Sequence, residues 1–150
     1  MLNADSGKPV GVIADTSGVH GIAIASAANR GFTSNGTENT ITMFGAESLR
    51  VIAEIPVGTG PDGIYFDGLS NRVFTDNYGS HDISAIDAAS GKVVGTVRIE
   101  GAGEQAASDG DGLTFVNLED KSEVAAFDPK TLEVKKRFPI GAAKRPPVSP

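Results

Sequence analysis

A repeat of about 42 residues is the feature of this sequence that most restricts its fold. Within the repeat, apolar residues alternate with a period of two, which indicates half-buried strands rather than helices. A period of this length in strand-like sequence is typical of β-propeller blades. The repeat therefore predicts an all-β fold made of propeller blades. Segments 21–24, 63–66 and 105–108 share one repeat position, and segments 41–44, 83–86 and 124–127 share another.

Each repeat is predicted to form four short antiparallel strands separated by turn residues. In the middle repeat these strands are predicted at 62–66, 72–76, 83–86 and 93–99. Pro56 and Pro139 both fall on the fourth strand, and proline cannot donate to a ladder of hydrogen bonds. The fourth strand is therefore expected at the outer edge of its blade. Three complete blades are predicted, over residues 20–58, 59–100 and 101–141.

The two ends of the chain are predicted to lie outside these blades. Ser6-Gly7-Lys8 repeats Ser90-Gly91-Lys92 at twice the period. Residues 1–19 are therefore expected to form the stray outer strand of a preceding, incomplete blade and a connecting loop. Residues 142–150 are expected to be a disordered, proline-rich tail. We expect a fragment of an incomplete ring, which self-associates through its open blade faces.

Composition excludes several classes of partner and chemistry. Nineteen acidic against 13 basic residues give a net charge of −6, which argues against nucleic acid and anionic membranes as partners. The absence of cysteine excludes disulfides, thiolate catalysis and cysteine-based metal sites. No apolar run approaches the roughly 18 residues of a spanning segment, so no membrane insertion is predicted. No signal peptide is expected in the chain as given, and no cofactor is predicted.

Three titratable residues share one repeat position and are the main candidates for a binding site. His20, Asp62 and Glu104 are spaced by 42 residues, where the outer strand of one blade passes to the inner strand of the next. In a propeller this loop lies at one face, near the central channel. Converging carboxylates and imidazole shift one another's pKa values and can bind a cation or transfer a proton. Alternatively, each side chain caps neighbouring backbone N–H groups.

Two asparagines are weaker candidates. Asn35 and Asn77 end the second strands beside loops that border the same face, so ligand contact is one hypothesis and a structural turn role is the other. His81 is expected to be an exposed loop residue. No catalytic residue is predicted, since the sequence lacks a nucleophile elbow and a phosphate-binding loop. No metal ligand is predicted either, because Leu113 interrupts the calcium-like segment that starts at Asp109.

Three motifs carry a resemblance to a known family. Gly60-Pro61-Asp62-Gly63-Ile64, Val73-Phe74-Thr75-Asp76-Asn77 and Ile83-Ser84-Ala85-Ile86-Asp87 resemble the YVTN-type β-propeller repeat proteins, which have WD40-like repeats. Segments 32–36 and 115–122 look like a bacterial subset of that family. The resemblance implies a ring of about seven blades and a periplasmic or secreted location. The third repeat departs from the pattern, with Gly103-Glu104-Gln105 for Pro-x-Gly and Leu118 for the asparagine.

Two functions follow from these observations. The first is a non-catalytic binding or interaction scaffold, favoured because the conspicuous residues recur from blade to blade as structural demand would require. The alternative is part of a propeller enzyme, a lactonase-like or metal-assisted hydrolase, with its site at His20, Asp62 and Glu104. An enzyme is expected to have, at that face, a polar residue that is unique to one blade, and His20 is the only such candidate. The fold itself does not decide between them, because propellers host unrelated functions.

Overall fold

The computed structural model describes residues 1–14 and 16–141, and most of the chain from Val19 to Pro139 lies in strands. Twelve strands form three four-stranded antiparallel sheets within these residues. Short 3-10 turns occur at Ser26–Ala28 and Glu119–Lys121. The strands in chain order are β1 (Val19–Ala25), β2 (Arg30–Asn35), β3 (Thr40–Gly45), β4 (Val51–Pro56), β5 (Pro61–Asp67), β6 (Arg72–Asn77), β7 (Asp82–Asp87), β8 (Val93–Val97), β9 (Gly103–Ser108), β10 (Thr114–Leu118), β11 (Glu123–Phe127) and β12 (Val134–Pro139).

Each sheet consists of four consecutive strands in chain order. We call them blade A (β1 to β4), blade B (β5 to β8) and blade C (β9 to β12). The predicted fold class, all-β with four-stranded antiparallel blades, is confirmed. One strand differs from its prediction, because β8 ends at Val97 and not at residue 99. The domain boundaries at 20–58, 59–100 and 101–141, and the number of blades in a closed ring, stay predictions.

Aspartate side chains hold the turns inside a blade. Between β5 and β6, Asp67 accepts hydrogen bonds from the Ser70 backbone N–H at 2.8 Å and its hydroxyl at 2.6 Å. Asp87 makes the same pair of contacts with Ser90 between β7 and β8. Aspartate and serine favour such turns because their short side chains bond the backbone two or three residues away. These local bonds set the register of the antiparallel strands.

The blades pack face to face, because successive residues of a strand point to opposite sides of the sheet. Val73 of β6 faces blade A, whereas its neighbour Phe74 faces blade C. Both are fully buried. The seam between blades A and B contains Phe32, Ile41, Met43, Val73 and Ile86. The seam between blades B and C contains Phe74, Ile83, Val97, Val116, Leu118 and Phe127.

The N-terminal segment copies one turn of the blades. The Asn3 N–H donates to the Lys8 carbonyl at 2.9 Å, and the Gly7 N–H donates to the Asn3 carbonyl at 2.8 Å. The same two bonds occur between β7 and β8, where the Asp87 N–H donates to the Lys92 carbonyl and the Gly91 N–H donates to the Asp87 carbonyl. Within residues 1–14, Leu2 and Pro9 form an isolated antiparallel bridge. The outer strand predicted within residues 1–19 and its assignment to a preceding blade stay predictions.

The predicted tail, residues 142–150, lies outside the described residues. In the described part of the chain, no helix has the length and apolarity needed to cross a bilayer.

The seam between blades B and C can be tested at Phe74. Its ring stacks on Tyr65 at 5.3 Å between centroids and meets the edge of Phe127 at 5.4 Å. Phe74→Ala should lower the free energy of unfolding by about 3 to 5 kcal/mol, measured by urea denaturation. Leu69→Ala, in an exposed turn, is the control and should change it by less than about 0.5 kcal/mol. Equal losses in the two variants would contradict this seam.

Candidate functional site

The first strands of the three blades lie side by side. β1 contacts β5, and β5 contacts β9. Two glycines allow this close approach. A Cβ atom at Gly63 would collide with the backbone carbonyl of Glu104, and one at Gly21 would press on the side chain of Ile64. Glycine has no Cβ, so the backbones can come closer than other residues would permit.

The three sequence-predicted residues occupy the second position of these first strands. His20, Asp62 and Glu104 line one cavity of about 330 Å³, together with the residues that follow them on β1, β5 and β9. His20 Nδ1 lies 3.6 Å from Asp62 Oδ1, and both side chains are about half exposed. The structure thus brings together residues that are 42 positions apart in sequence. We call this cavity the first-strand pocket.

A second cavity, of about 290 Å³, shares two walls of the first-strand pocket. His20 and Asp62 line both. Its remaining lining includes Gly36, Thr37 and Tyr78, from the loops that follow the second strands. These loops therefore border the same face as His20, as the repeat predicts. The His20–Asp62 pair is reachable from two sides.

The first-strand pocket is acidic. It carries two carboxylates against one imidazole, and Glu104 forms no ion pair with any described residue. Such a site can accept hydrogen bonds from a cationic group, and a carboxylate beside an imidazole can assist proton transfer. In residues 1–14 and 16–141, no group of three or more His, Asp or Glu side chains is arranged to hold a metal ion.

The two asparagines lie inside the sheets. Asn35 and Asn77 are fully buried. The Asn35 amide donates to the Thr42 hydroxyl at 2.7 Å, and the Asn77 amide donates to Asp82 at 2.7 Å and Ser84 at 2.9 Å. Each amide thereby joins the second strand of its blade to the third. Neither asparagine is among the residues that line the first-strand pocket, and ligand contact at these two positions stays a prediction.

His81 is exposed and adopts a left-handed backbone conformation, with φ of 57°. It borders a separate cavity together with Arg98 and Glu100. The structure therefore does not bring His81 to the first-strand pocket.

Two further titratable side chains at the first-strand pocket were not predicted as site residues: Tyr65 is partly buried and lines the pocket, whereas Asp76 is fully buried. Asp76 of β6 lies behind Gly63, where a Cβ atom would be 2.7 Å from Asp76 Oδ2. Burial, and then the Asp62 carboxylate, raise the pKa of Asp76 to about 7. Burial, Asp76 and Asp67 raise the pKa of Tyr65. The sequence did contain an indication of Asp76, because the equivalent residue of blade A, Ser34, is also polar at a position where a buried strand would have an apolar residue.

The asparagine contacts can be tested against blade C, which has Leu118 and Ala125 in place of Asn77 and Ser84. Asn77→Leu should lower the free energy of unfolding by about 1 to 3 kcal/mol, because it leaves a buried hydroxyl without its donor. Adding Ser84→Ala should recover part of the loss. Thermal or urea unfolding of both single variants and the double variant measures the coupling. Strictly additive losses would contradict a direct contact.

No known protein family and no curated protein matches this sequence. Among solved structures, the chain is similar to Kuenenia stuttgartiensis hydrazine synthase, with a TM-score of 0.74 and 16% identity. The similarity covers 84% of this chain and 37% of that one, so this chain spans little more than a third of the length of that protein. In all, 804 solved chains match, which is typical of a widely used architecture. At this identity the likeness establishes the fold and carries no activity over.

Proposed function

We propose that this chain is a β-propeller segment that acts as a non-catalytic binding scaffold, with its ligand at the first-strand pocket. The observation that carries the proposal is the meeting of His20, Asp62 and Glu104 around one cavity. If these residues recurred for structural reasons alone, each side chain would be expected to cap the backbone N–H groups next to it. A shared cavity of about 330 Å³ adds room for a small molecule or for a side chain of a protein partner.

The chemistry of the pocket favours a cationic ligand. Asp62 and Glu104 supply carboxylates, and the whole chain carries a net charge of −6, which attracts cations over a distance of several ångströms. Hydrogen bonds from an ammonium group to carboxylates are stronger than those between neutral groups. We therefore assign a small primary amine, or a lysine side chain of a partner, as the ligand class.

We also propose that the chain belongs to a family of propeller repeat proteins. The three motifs at residues 60–64, 73–77 and 83–87, all in the repeat that forms blade B, support a bacterial YVTN-type protein with WD40-like repeats. Membership would imply a ring of about seven blades and a periplasmic or secreted location. The apolar residue Leu118, in place of the family's asparagine, is accommodated because blade C also replaces Ser84 by Ala125.

A propeller enzyme is the second candidate, and one distance favours it. His20 Nδ1 and Asp62 Oδ1 are 3.6 Å apart, close enough for the carboxylate to orient the imidazole as a general base after a small movement. His20 occurs in a single blade, as expected for a residue selected for chemistry. A lactonase-like hydrolase would use this pair on an ester carbonyl, and a metal-assisted hydrolase would add a divalent ion.

The binding proposal can be tested with putrescine, a diamine, and with acetate as an anionic control. Two-dimensional NMR should show putrescine shifting the amide signals at the start of β1, β5 and β9, whereas acetate should not. The double variant Asp62→Asn with Glu104→Gln should weaken putrescine binding about tenfold or more, since each charged hydrogen bond contributes about 1.5 to 3 kcal/mol. Asp111→Asn, an exposed carboxylate of a distant turn, is the matched control.

Putrescine shifts that persist in the double variant, or an absence of shifts, would contradict the assigned ligand class. The metal-assisted enzyme is tested separately by following the melting temperature with millimolar Ca²⁺, Mg²⁺ or Zn²⁺. No change with any of these ions would rule out that version, and hydrolysis of a lactone lost on His20→Gln would favour the enzyme over the scaffold.

We also propose that a second copy of the chain covers the outer face of blade C. Phe138 and Ile140 are 44% and 51% exposed, whereas Val97 and Ile99, at the equivalent positions of blade B, are fully buried against blade C. The opposite face is present on blade A, where Ile22 is 51% exposed and its equivalent Ile64 packs in a seam. The exposed faces of blade C and blade A therefore correspond to the two faces that pack together in each seam between neighbouring blades.

Sedimentation velocity over a range of concentrations tests this association. The wild-type chain should form dimers or larger head-to-tail species, because the two faces differ and the contact is heterologous. Phe138→Lys should shift the distribution to monomer. Val94→Lys is the matched control, since Val94 is equally exposed at 44% but lies on the outer strand of blade B. A wild-type monomer at all concentrations would contradict the proposal.

A further inference from the structure

The seam between blades A and B contains a hydroxyl that links a pocket residue to the neighbouring blade. Ser34 of β2 accepts a hydrogen bond from the Gly21 N–H at 3.0 Å and donates to the Asp62 carbonyl at 2.5 Å. The second bond crosses from blade A to blade B. It holds the backbone of Asp62, and hence the side chain that enters the first-strand pocket.

Asp76 occupies the position in blade B that corresponds to Ser34 in blade A, 42 residues later in the sequence. Its carboxyl group is fully buried, and neither oxygen has a hydrogen-bond partner among the described residues. A Cβ atom built on Gly63 would touch both Asp76 Oδ2 and the Glu104 carbonyl oxygen. The carboxyl group and this carbonyl therefore border the same small space, which the glycine leaves open. Glu104 is the equivalent of Asp62.

The geometry imposes a requirement on the ionisation state of Asp76. A carboxylate and a carbonyl both only accept hydrogen bonds, so the ionised side chain has nothing to donate to Glu104. A buried charge without a partner is costly. The neutral acid has one O–H donor, as the serine hydroxyl does.

We propose that Asp76 is protonated in the folded protein and donates its O–H to the backbone carbonyl of Glu104, as Ser34 does to Asp62. Asp76 is then a positioning residue for the pocket, which acts through the backbone of Glu104. The bond forms without a ligand, so the proposal goes beyond the proposed function and does not depend on it. At higher pH the proton passes to solvent, and two acceptors are left facing each other.

The surroundings of Asp76 favour the neutral acid. β5 presents Asp62 and Tyr65, and β9 presents Glu104, so no cation faces it from these strands. The neighbours on β7 and β8, Ile83 and Val97, are apolar. On blade C, Arg137 is engaged by Glu100 and Glu123. Burial first, and the Asp62 carboxylate second, raise the pKa of Asp76, in agreement with the geometry.

The sign of the pH dependence follows from this pKa. It is about 7 in the folded chain against an ordinary value of 3.8, so the folded state holds the proton more tightly. The stabilisation from Asp76 is therefore complete below about pH 4 and is lost as the pH rises from about 4 to about 7. Ser34 has no titratable proton, so the seam between blades A and B has no such dependence at this position.

Asp76→Asn tests the proposal, because the amide donates to the Glu104 carbonyl at every pH. The wild-type melting temperature should fall by several degrees between pH 4 and pH 7.5, and the fall should be smaller in Asp76→Asn. Asp76→Ser, which copies Ser34, should behave in the same way. Asp111→Asn, which removes an exposed carboxylate, should retain the wild-type profile.

Carbon-13 NMR of the wild-type carboxyl groups keeps the test valid if the variants do not fold. The Asp76 signal should titrate with a midpoint near 7. A midpoint near the ordinary 3.8, or parallel melting profiles of wild type and Asp76→Asn, would overturn the proposal. So would a stabilisation by Ca²⁺ at pH 8 that Asp76→Asn abolishes, because it would show a cation between the two oxygens and not a proton.

Discussion

Face-to-face packing of the four-stranded sheets is the constraint on which the rest of this structure depends. A single twisted sheet with apolar residues on both sides cannot bury them alone. Blade B shows the consequence most clearly, because Val73 and Phe74 are neighbours on β6 and are both fully buried, on opposite sides. One packs against blade A and the other against blade C. The two seams therefore provide most of the apolar burial that offsets the entropy of ordering the chain.

The same packing produces the candidate site. Stacking the blades brings their first strands together, and Gly21 and Gly63 let the backbones approach closely. His20, Asp62 and Glu104 then surround one cavity as a consequence of the repeat. Close approach also requires that polar atoms in the seams be satisfied. Blade A meets this need with a serine hydroxyl, whereas blade B uses the ionisable group of Asp76.

Much of the fold was predictable because its signals are local. Alternation of apolar residues, proline on the fourth strand and Asp-Ser turns each depend on a few neighbouring residues. The boundary of β8 was less predictable, since Val97 and Ile99 are both buried although only the first belongs to a strand. Burial thus continues beyond the ladder of hydrogen bonds. The placement of Asn35 and Asn77 was ambiguous for a related reason, because an asparagine at a strand end can face either the sheet or the solvent.

The sequence by itself determined the repeat, the four strands of each blade and the equivalence of His20, Asp62 and Glu104, because periodicity is a property of the chain alone. Only the tertiary structure decided which of the predicted residues share a cavity. It buried Asn35 and Asn77 in their sheets, kept His81 apart, and placed Asp76 against the backbone of Glu104. The physical reason is that burial and hydrogen-bond partners depend on contacts between strands, which no local pattern specifies. The partners of Asn35 and Asn77 lie on the adjacent strand of the same blade, whereas His20, Asp62 and Glu104 meet across the seams between blades.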